Sequence, residues 1–321
     1  MSSRTSFTLR ISLVLVAVIG TVLLFVGGPE GTAGRSFHDA WDLGHVLLFG
    51  IFAFLLHSVL TERTEWSLLR RGMVLLAGTV LIGGGVELAQ SWIGGRNASL
   101  YDLYLDMVGC LCGLVIGRNA LLRGSVFQVR MLRFMASVLL VASLYPLAVS
   151  ATDEAVAERQ FPVLGDFETP FEASRWTGIA RFERSDAFSR SGRHSLKVRL
   201  GTETYSGLFL TYAPGNWEGY DHIAFSIYRE GSSPAQMGCR IHDAEHIERG
   251  RQFDDRFYAD IKLETGWNDI VIPLADVRHS PKARQMDMTQ VRDFGIFAAR
   301  LKEPAVIYLD HVRLMKDGSG Q

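Results

Sequence analysis

Five apolar segments of membrane length fill the first 150 residues and limit the fold more than any other feature of the chain. They cover residues 7–27, 42–60, 72–90, 101–117 and 131–149. A helix needs about 20 mostly apolar residues to cross the hydrocarbon core of a bilayer. The first segment is too long for a cleaved signal peptide, and further segments follow it. We therefore predict a bundle of five transmembrane helices over residues 1–149.

The distribution of arginines predicts how these helices are oriented. Nine arginines lie on one side of the predicted bundle, at positions 4, 10, 63, 70, 71, 118, 123, 130 and 133, whereas only Arg35 and Arg96 lie on the other side. Positively charged loops remain in the cytoplasm, so we expect the amino terminus there. Five crossings then carry the rest of the chain outside. The expected location is the cytoplasmic (inner) membrane, with an extracytoplasmic carboxy-terminal domain.

The composition changes near Ser150, where a second domain is expected to begin. Residues 1–150 contain no lysine, and all five lysines follow them. Residues 150–162 are polar and predict a linker. From Val163, short alternating strands are separated by turns rich in Gly, Pro and Asn, which is typical of an antiparallel sandwich or jelly roll. The predicted fold is multi-domain: an all-α transmembrane bundle, an all-β jelly-roll sandwich over residues 163–315, and a tail of residues 316–321.

Charge and cysteine content say little about partners. The net charge of -1 is shared between two unlike halves, and no basic patch indicates nucleic acid. Cys110 and Cys112 fall in an apolar segment and Cys239 in a strand-like one, so neither a disulfide framework nor a metal-binding spacing is present. We expect all three to be small buried residues.

Polar side chains occur at the outward ends of the second, third and fourth apolar segments. They are Asp42, His45, Glu87, Gln90, Arg96, Asp102 and Asp106. Residues three or four apart share one face of a helix, so we expect these side chains to line one polar cavity near the outer leaflet. A carboxylate at membrane depth is energetically unfavourable. It therefore indicates either a functional site or a paired structural group.

The same residues carry a resemblance to a known family. The pattern Glu87-x-x-Gln90, Gly95-Arg96-x-x-Ser99-x-x-Asp102, Asp106-x-x-Gly109-x-x-x-Gly113 resembles the VanZ-like family, named after a teicoplanin-resistance protein, over residues 35–118. Asp42 and His45 resemble an aspartate and a histidine of that family. The family's lysine after the aspartate is absent here, and Asp106 replaces an expected asparagine, so the site is more acidic. The resemblance implies a multi-pass cell-envelope protein connected with glycopeptide tolerance.

Residues 163–315 resemble galactose-binding-like carbohydrate-binding modules. The motifs that carry the resemblance include Gly165-Asp166-Phe167-Glu168, Ser191-Gly192-x-x-Ser195, Gly266-Trp267-Asn268 and Tyr308-Leu309-Asp310. Trp176 is a candidate for stacking on a sugar ring, with packing in the core as the alternative. Such modules often hold a structural calcium, and oxygen ligands suit that ion, so the candidate ligands are Asp166, Glu168 and Asp310. The polar segment 239–257 fits no metal-site spacing and is expected to be a solvated strand end and loop.

Two functions fit the membrane half. As a binding protein, it holds a lipid head group or a lipid-linked envelope precursor, while the sandwich binds a glycan or a protein. The residues that would hold this ligand are Asp42, Gln90, Arg96, Ser99 and Asp106. As a hydrolase or transferase, it uses Glu87 or Asp102 as general base with His45 as partner. The binding function is favoured because no nucleophile elbow, phosphate loop or metal template occurs in the sequence, and no cofactor is expected in this half.

Overall fold

The structure is a computed structural model that describes residues 3–26, 34–92, 99–116, 124–231 and 235–318. The chain divides into two compact units, Met1–Ala148 and Val149–Gln321. The first is helical, and the second consists mainly of β-strands. The architecture is therefore a helical amino-terminal region followed by a sandwich of two sheets.

Seven helices precede the first strand in the described part of the chain. They are α1 (Ser3–Val26), α2 (Arg35–Asp42), α3 (Gly44–Arg63), α4 (Leu68–Ser91), α5 (Leu100–Val115), α6 (Val126–Ser143) and α7 (Tyr145–Gln160). Within the described residues, three helical stretches are long and apolar enough to cross a membrane: Arg35–Arg63, Leu68–Ser91 and Val126–Gln160. The described apolar stretch of α1 is shorter, and α5 has only 16 residues. The count of five spans therefore stays a prediction.

The last two helices differ from the expected boundaries. A turn at Leu144 divides the predicted fifth segment between α6 and α7. The predicted linker, residues 150–162, is helical up to Gln160. Its sequence explains this, because Ala, Glu, Arg and Gln are good helix formers and occupy most of residues 151–160.

Glycines bring α3 and α5 into close contact. Gly109 lies against the backbone of Val46 and Gly50, and Gly113 lies against Gly50 and Ala53. A Cβ atom at Gly113 would come within 2.9 Å of the Ala53 Cβ. This is the small-residue packing that allows membrane helices to approach closely. It places the polar beginning of α5 beside the beginning of α3.

The second unit contains two antiparallel sheets. Its strands in the described residues are β1 (Val163–Gly165), β2 (Trp176–Gly178), β3 (Arg181–Ser185), β4 (Ser195–Leu200), β5 (Tyr205–Leu210), β6 (His222–Arg229), β7 (Ala235–Asp243), β8 (Phe257–Leu263), β9 (Gly266–Pro273), β10 (Val291–Ala299) and β11 (Ala305–Met315). The first sheet has the order β3-β4-β11-β6-β9, with β1 paired to β11. The second sheet has the order β2-β5-β10-β7-β8. Two short helices, α8 (Ala244–Glu248) and α9 (Leu274–Arg278), lie between strands.

The core of the sandwich is formed by the inward-facing residues of both sheets. Leu208 on β5, Cys239 on β7 and Ile296 on β10 are fully buried in it. Since side chains alternate along a strand, the residues next to them point to the outer face of the second sheet. Trp176 is 3% exposed and packs in the core against Phe294. It is therefore not available to stack on a sugar ring, and the core alternative applies.

Candidate functional site

In the helical unit, an imidazole lies between two carboxylates where α3 and α5 begin. His45 belongs to the first turn of α3 and is buried. Its Nδ1 is 2.8 Å from Oδ1 of Asp106, and its Nε2 is 4.0 Å from Oδ2 of Asp102. Asp102 and Asp106 are one turn apart on α5, so both face the ring. The sequence prediction that these side chains share a face is consistent with this geometry.

Glu87 of α4 brings a further carboxylate to the end of α5. Its Oε2 accepts the backbone N–H of Ser99 at 2.6 Å, and the Ser99 hydroxyl accepts the backbone N–H of Asp102 at 3.1 Å, which caps α5. Glu87 is 5% exposed. Its Oε1 is buried and accepts no hydrogen bond from any residue that the structure describes. A buried acceptor without a donor is unfavourable, so this atom indicates where a ligand could donate.

The other candidate residues of the membrane half differ in how far the structure defines them. Asp42 ends α2, and its charge interacts with those of Asp102 and His45. Gln90 is buried near the end of α4. Arg96, predicted to lie in the same cavity, falls outside the described residues.

Five of these side chains form one group, which we call the polar cluster: Asp42, His45, Glu87, Asp102 and Asp106. Gly83 of α4 leaves room for it, because a Cβ atom at Gly83 would overlap Oδ2 of Asp106. Four carboxyl groups and one imidazole make the polar cluster rich in hydrogen-bond acceptors. It can therefore accept hydrogen bonds from an ammonium or hydroxyl donor, and it can transfer a proton between imidazole and carboxylate.

The outer face of the second sheet carries a group of aromatic rings, which we call the aromatic platform: Tyr205, Phe209, Tyr258 and Phe297. The rings of Tyr205 and Tyr258 lie 5.9 and 6.2 Å from that of Phe297, between centroids. Tyr205 is 57% exposed and Tyr258 is 36% exposed. Exposed rings on a sheet face provide a stacking surface for the apolar face of a ligand.

Glycines on neighbouring strands make room for these rings. Phe297 is paired with Gly207 on one side and with Gly238 on the other. A Cβ atom at Gly238 would lie 2.8 Å from the Phe297 ring, and one at Gly295 would overlap the Phe209 ring. The Phe297 and Phe209 rings therefore each lie over the backbone of an adjacent strand, close to the surface of the sheet.

Polar side chains border the aromatic platform. The Arg240 guanidinium lies 4.1 Å above the Phe209 ring centroid and donates to Oδ2 of Asp293 at 2.8 Å. Nδ1 of His242 is 3.7 Å from the same oxygen. Four buried atoms here have no hydrogen-bond partner among the described residues: Arg240 Nε, His242 Nδ1, Arg256 Nε and Asp293 Oδ1. Because buried polar atoms are normally paired, we interpret this group as a place for a polar ligand.

Burial determines the charges of this polar border. It raises the pKa of Asp293 to about 6, against the opposing effect of Arg240. Burial also lowers the pKa of His242 to about 3, together with the charges of His246, Arg240 and Arg256. At neutral pH, Asp293 is therefore mainly ionised and His242 is neutral. The border offers a carboxylate acceptor, guanidinium donors and a neutral imidazole.

The polar segment 239–257 divides between two environments. His242 faces the aromatic platform, whereas Asp243 and Asp255 are held by Arg284. Arg284 donates to Asp243 at 2.5 and 2.8 Å and to Asp255 twice at 2.8 Å. Its distance in sequence, 41 residues from Asp243 and 29 from Asp255, hides this contact from local pattern analysis. This part of the segment is an internal ion-pair network, whereas we expected a solvated loop.

Two of the candidate calcium ligands, Glu168 and Asp310, hold the loop of residues 190–194. Oε1 of Glu168 accepts two backbone N–H groups of this loop at 2.7 Å, and Oδ2 of Asp310 accepts two more at 2.5 and 3.0 Å. The charge of Asp166 interacts with that of Asp310. Over the described ranges, no group of three or more His, Cys, Asp or Glu side chains is arranged to hold a metal ion. The carboxylates hold the loop directly, and calcium binding stays a prediction.

The aromatic platform was not predicted from the sequence. One signal was present, because Phe209, Phe297 and Tyr258 each follow or precede a core residue in an alternating strand. That alternation places them on an outer face. It does not reveal that β5, β10, β7 and β8 are adjacent in one sheet, and this adjacency is what brings the rings together.

Comparison with known proteins agrees with both resemblances. Residues 2–123 match the VanZ/LLP1 family model, and residues 164–294 match that of the carbohydrate binding domain (family 11). No curated protein matches the chain.

Similar solved structures include three carbohydrate-related proteins. The family 11 carbohydrate-binding module from Clostridium thermocellum, in complex with a β-1,3-1,4-mixed-linked tetrasaccharide, has 17% identity over 48% of this chain and 94% of that one, with a TM-score of 0.38. The C-terminal family 22 module of a Clostridium thermocellum protein has 19% identity over 49% and 94%, with a TM-score of 0.31. An exo-β-agarase has 15% identity over 48% of this chain but only 25% of its own, with a TM-score of 0.38. The chain thus joins a region that matches the VanZ/LLP1 family model to a region that matches the model of the carbohydrate binding domain (family 11).

Proposed function

We propose that this is a cell-envelope membrane protein whose sandwich binds a glycan on the outer face of the second sheet. The observation that carries the proposal is the aromatic platform, with four buried polar atoms at its border that no described residue satisfies. Binding sites combine apolar and aromatic walls with a few placed polar groups. Sugars offer both an apolar ring face and hydroxyl groups to such a site. The family match of residues 164–294 supports a glycan over a protein as ligand.

Glycan binding is tested by titrating the purified full-length protein with a mixed-linked tetrasaccharide and with soluble peptidoglycan fragments. Loss of one stacking ring, about 1 kcal/mol, corresponds to about fivefold weaker binding. We expect this for Tyr205→Ala, whose exposed ring contributes little to folding. The matched control is Val271→Ala, because Val271 is 53% exposed on β9 of the first sheet. Identical affinities for both variants would contradict the assignment of the binding face.

In the same proposal, the polar cluster holds a lipid head group or a lipid-linked envelope precursor. The unpaired Oε1 of Glu87 and the surplus of acceptors support a ligand with donor groups. A connection with teicoplanin-type tolerance is drawn only from the VanZ match. Glu87→Gln and Asp102→Asn are compared with wild type for protein level and glycopeptide tolerance in cells. A lost phenotype at unchanged protein level supports a site, whereas lost protein indicates a structural pair.

A second candidate is an acid–base enzyme acting on a lipid-linked precursor. It is favoured by one observation, the position of His45 between Asp106 and Asp102. Asp106 orients the ring, so that the other nitrogen faces Asp102 and could exchange a proton with it. Turnover of a lipid-linked precursor by purified wild-type protein, and its loss in Asp102→Asn, would establish the enzyme. Binding without turnover would exclude it for that substrate.

Five membrane spans, a cytoplasmic amino terminus, an external jelly-roll sandwich and residence in the inner membrane belong to the same proposal. The arginine distribution supports the orientation. Reporter fusions at residue 66 and after residue 321 test it. We expect a cytoplasmic signal from the first fusion and an external signal from the second. A cytoplasmic signal after residue 321 would contradict the topology.

Calcium in the sandwich is a separate proposal. Asp166, Glu168 and Asp310 are oxygen donors of the kind that calcium prefers, and Glu168 and Asp310 hold one loop. Binding would require the loop N–H groups to give up the oxygens that they now contact. Added calcium should then raise the melting temperature of the chelator-treated protein. An equal melting temperature in calcium and in chelator would refute the proposal.

A further inference from the structure

An apolar groove is formed by α1, α3 and α4, and two of these helices, α3 and α4, also carry His45 and Glu87 of the polar cluster. The groove has a volume of about 550 Å³, within the range of small-molecule sites. Its lining includes Val14, Phe49, Ala53, Leu75, Gly78 and Thr79, and of all its lining residues only Thr79 is polar. A hydrocarbon chain is therefore the kind of group that its walls accept.

Two helices connect the groove with the polar cluster. On α3, Phe49 follows His45 by four residues, so both lie on one face about 6 Å apart along the axis. On α4, Thr79 and Glu87 are eight residues apart, about two turns, and both are buried. On each of these two helices, one face therefore carries a groove residue and, one or two turns away, a residue of the polar cluster.

The charge of the polar cluster selects the head group. Four carboxyl groups surround the imidazole of His45, and the imidazole of His38 also interacts with Asp42. Oε1 of Glu87 is buried and accepts no hydrogen bond within the described ranges. An ammonium group has three donors and no acceptor, so it satisfies this oxygen and offsets the excess of negative charge. A carboxylate or sulfate would be repelled by the same groups.

We infer that the helical unit binds an amine-bearing amphiphile, with its ammonium group in the polar cluster and its hydrocarbon chain in the groove. This rests on the proposed function, which assigns a head group to the polar cluster, and adds the chain and the charge of the ligand. Lipid chains are as apolar as the groove walls, so the polar cluster supplies most of the affinity. The groove makes the site favour ligands that carry a hydrocarbon chain.

The glycines of α4 allow a direct test. A Cβ atom at Gly78 meets no other atom within 4 Å, and the same holds at Gly85. Gly78 lines the groove and Gly85 does not. The Cβ atom of Gly78→Leu therefore enters open space, from which the side chain extends into the groove, and Gly85→Leu adds the same side chain to the same helix elsewhere. Equal melting temperatures of the two variants show that both remain folded.

The experiment measures radiolabelled dodecylamine binding to the full-length protein in phosphatidylcholine nanodiscs, with empty nanodiscs subtracted. Dodecanoate has the same chain and the opposite charge, and butylamine has the same head group without the chain. We expect the tightest saturable binding for dodecylamine, weaker binding for butylamine and none for dodecanoate. Dodecylamine binding should be about tenfold weaker in Glu87→Gln and about fivefold weaker in Gly78→Leu, with Gly85→Leu equal to wild type. If Glu87→Gln does not fold, Asp102→Asn replaces it.

The outcomes separate this inference from the proposed function. Unchanged binding in Gly78→Leu with weaker binding in Glu87→Gln would overturn the groove assignment and leave the polar cluster as a head-group site. Equal binding of dodecanoate would overturn the charge assignment. Unchanged binding in Glu87→Gln and Asp102→Asn would overturn both the inference and the proposed head-group site.

Discussion

Arg284 is a residue of the sandwich whose removal should strongly reduce stability. Its guanidinium forms hydrogen bonds with both carboxylate oxygens of Asp243 and of Asp255. Asp243 is fully buried, and the side chain of Arg284 is 9% exposed. The perturbation is Arg284→Met, which keeps most of the side-chain length but leaves two carboxylates facing each other without a cation.

The expected magnitude follows from this burial. Removing one partner of a buried ion pair destabilises a protein by about 3–5 kcal/mol. For a unit of the size of Val149–Gln321, each 1 kcal/mol lowers the melting temperature by about 2–4 °C. Arg284→Met should therefore lower the melting temperature of the sandwich by roughly 6–20 °C.

The matched control is Lys282→Met. Lys282 forms an ion pair with Asp254 at 2.7 Å, but the two side chains are 74% and 57% exposed. Surface pairs contribute at most about 1 kcal/mol, so this variant should melt within a few degrees of wild type. The assay is thermal unfolding of the full-length protein in detergent, monitored by near-ultraviolet circular dichroism. Equal melting temperatures for both variants would refute the assignment of Arg284 as the centre of a buried network.

The remaining predictions concern pH and helix packing. Burial alone would raise the pKa of Asp243, but its hydrogen bonds outweigh burial and lower it, with Arg284 the largest contributor; this stability is present above the unfolded pKa and is lost as pH falls, so Arg284→Met should reduce the slope of acid unfolding curves. Because the pKa of Asp293 is about 6, glycan affinity should fall as pH drops from 7.5 to 5, and isothermal titration should find no such change in Asp293→Asn. Gly113→Ala should lower the melting temperature of the helical unit by crowding α3, whereas Gly84→Ala, with open space around its Cβ position, should not.

The polar cluster was accessible from sequence because helix geometry is local. Residues three or four apart share a face whatever the rest of the chain does, so the pairing of Asp102 with Asp106 required no tertiary information. Their meeting with His45 depends on the close packing of α3 and α5, and the glycines at 109 and 113 indicated this contact. The sequence could not predict that Oε1 of Glu87 accepts no hydrogen bond, because this depends on which donors the fold brings within reach of that atom.

The aromatic platform was not accessible in the same way because strand order is not local. Arg240, Tyr258 and Phe209 lie in one row across the second sheet through Gly295. Nothing in the separate strands specifies that β10 lies between β5 and β7. Trp176 is the opposite case, because its local sequence is misleading about burial. Its loop-like sequence context suggested exposure, but pairing of β2 with β5 places it in the core.

Hydrogen-bond satisfaction separates the polar groups of this protein into two kinds. In the network around Arg284, the carboxylate oxygens of Asp243 and Asp255 all have partners, and no buried atom of these three residues is unpaired within the described part of the chain. At the platform border and in the polar cluster, buried oxygens and nitrogens remain without partners. Such atoms lower the stability of the folded state, because each carries a desolvation penalty of about 1–3 kcal/mol. Single atoms of this kind also occur elsewhere in the sandwich, at Trp176, Arg229 and Arg292. At the platform border and in the polar cluster they lie among other polar side chains, and there ligands that satisfy them are the best explanation. On this reasoning Arg284→Met should change stability without changing ligand affinity in the folded protein, whereas Asp293→Asn and Glu87→Gln should change affinity more than stability.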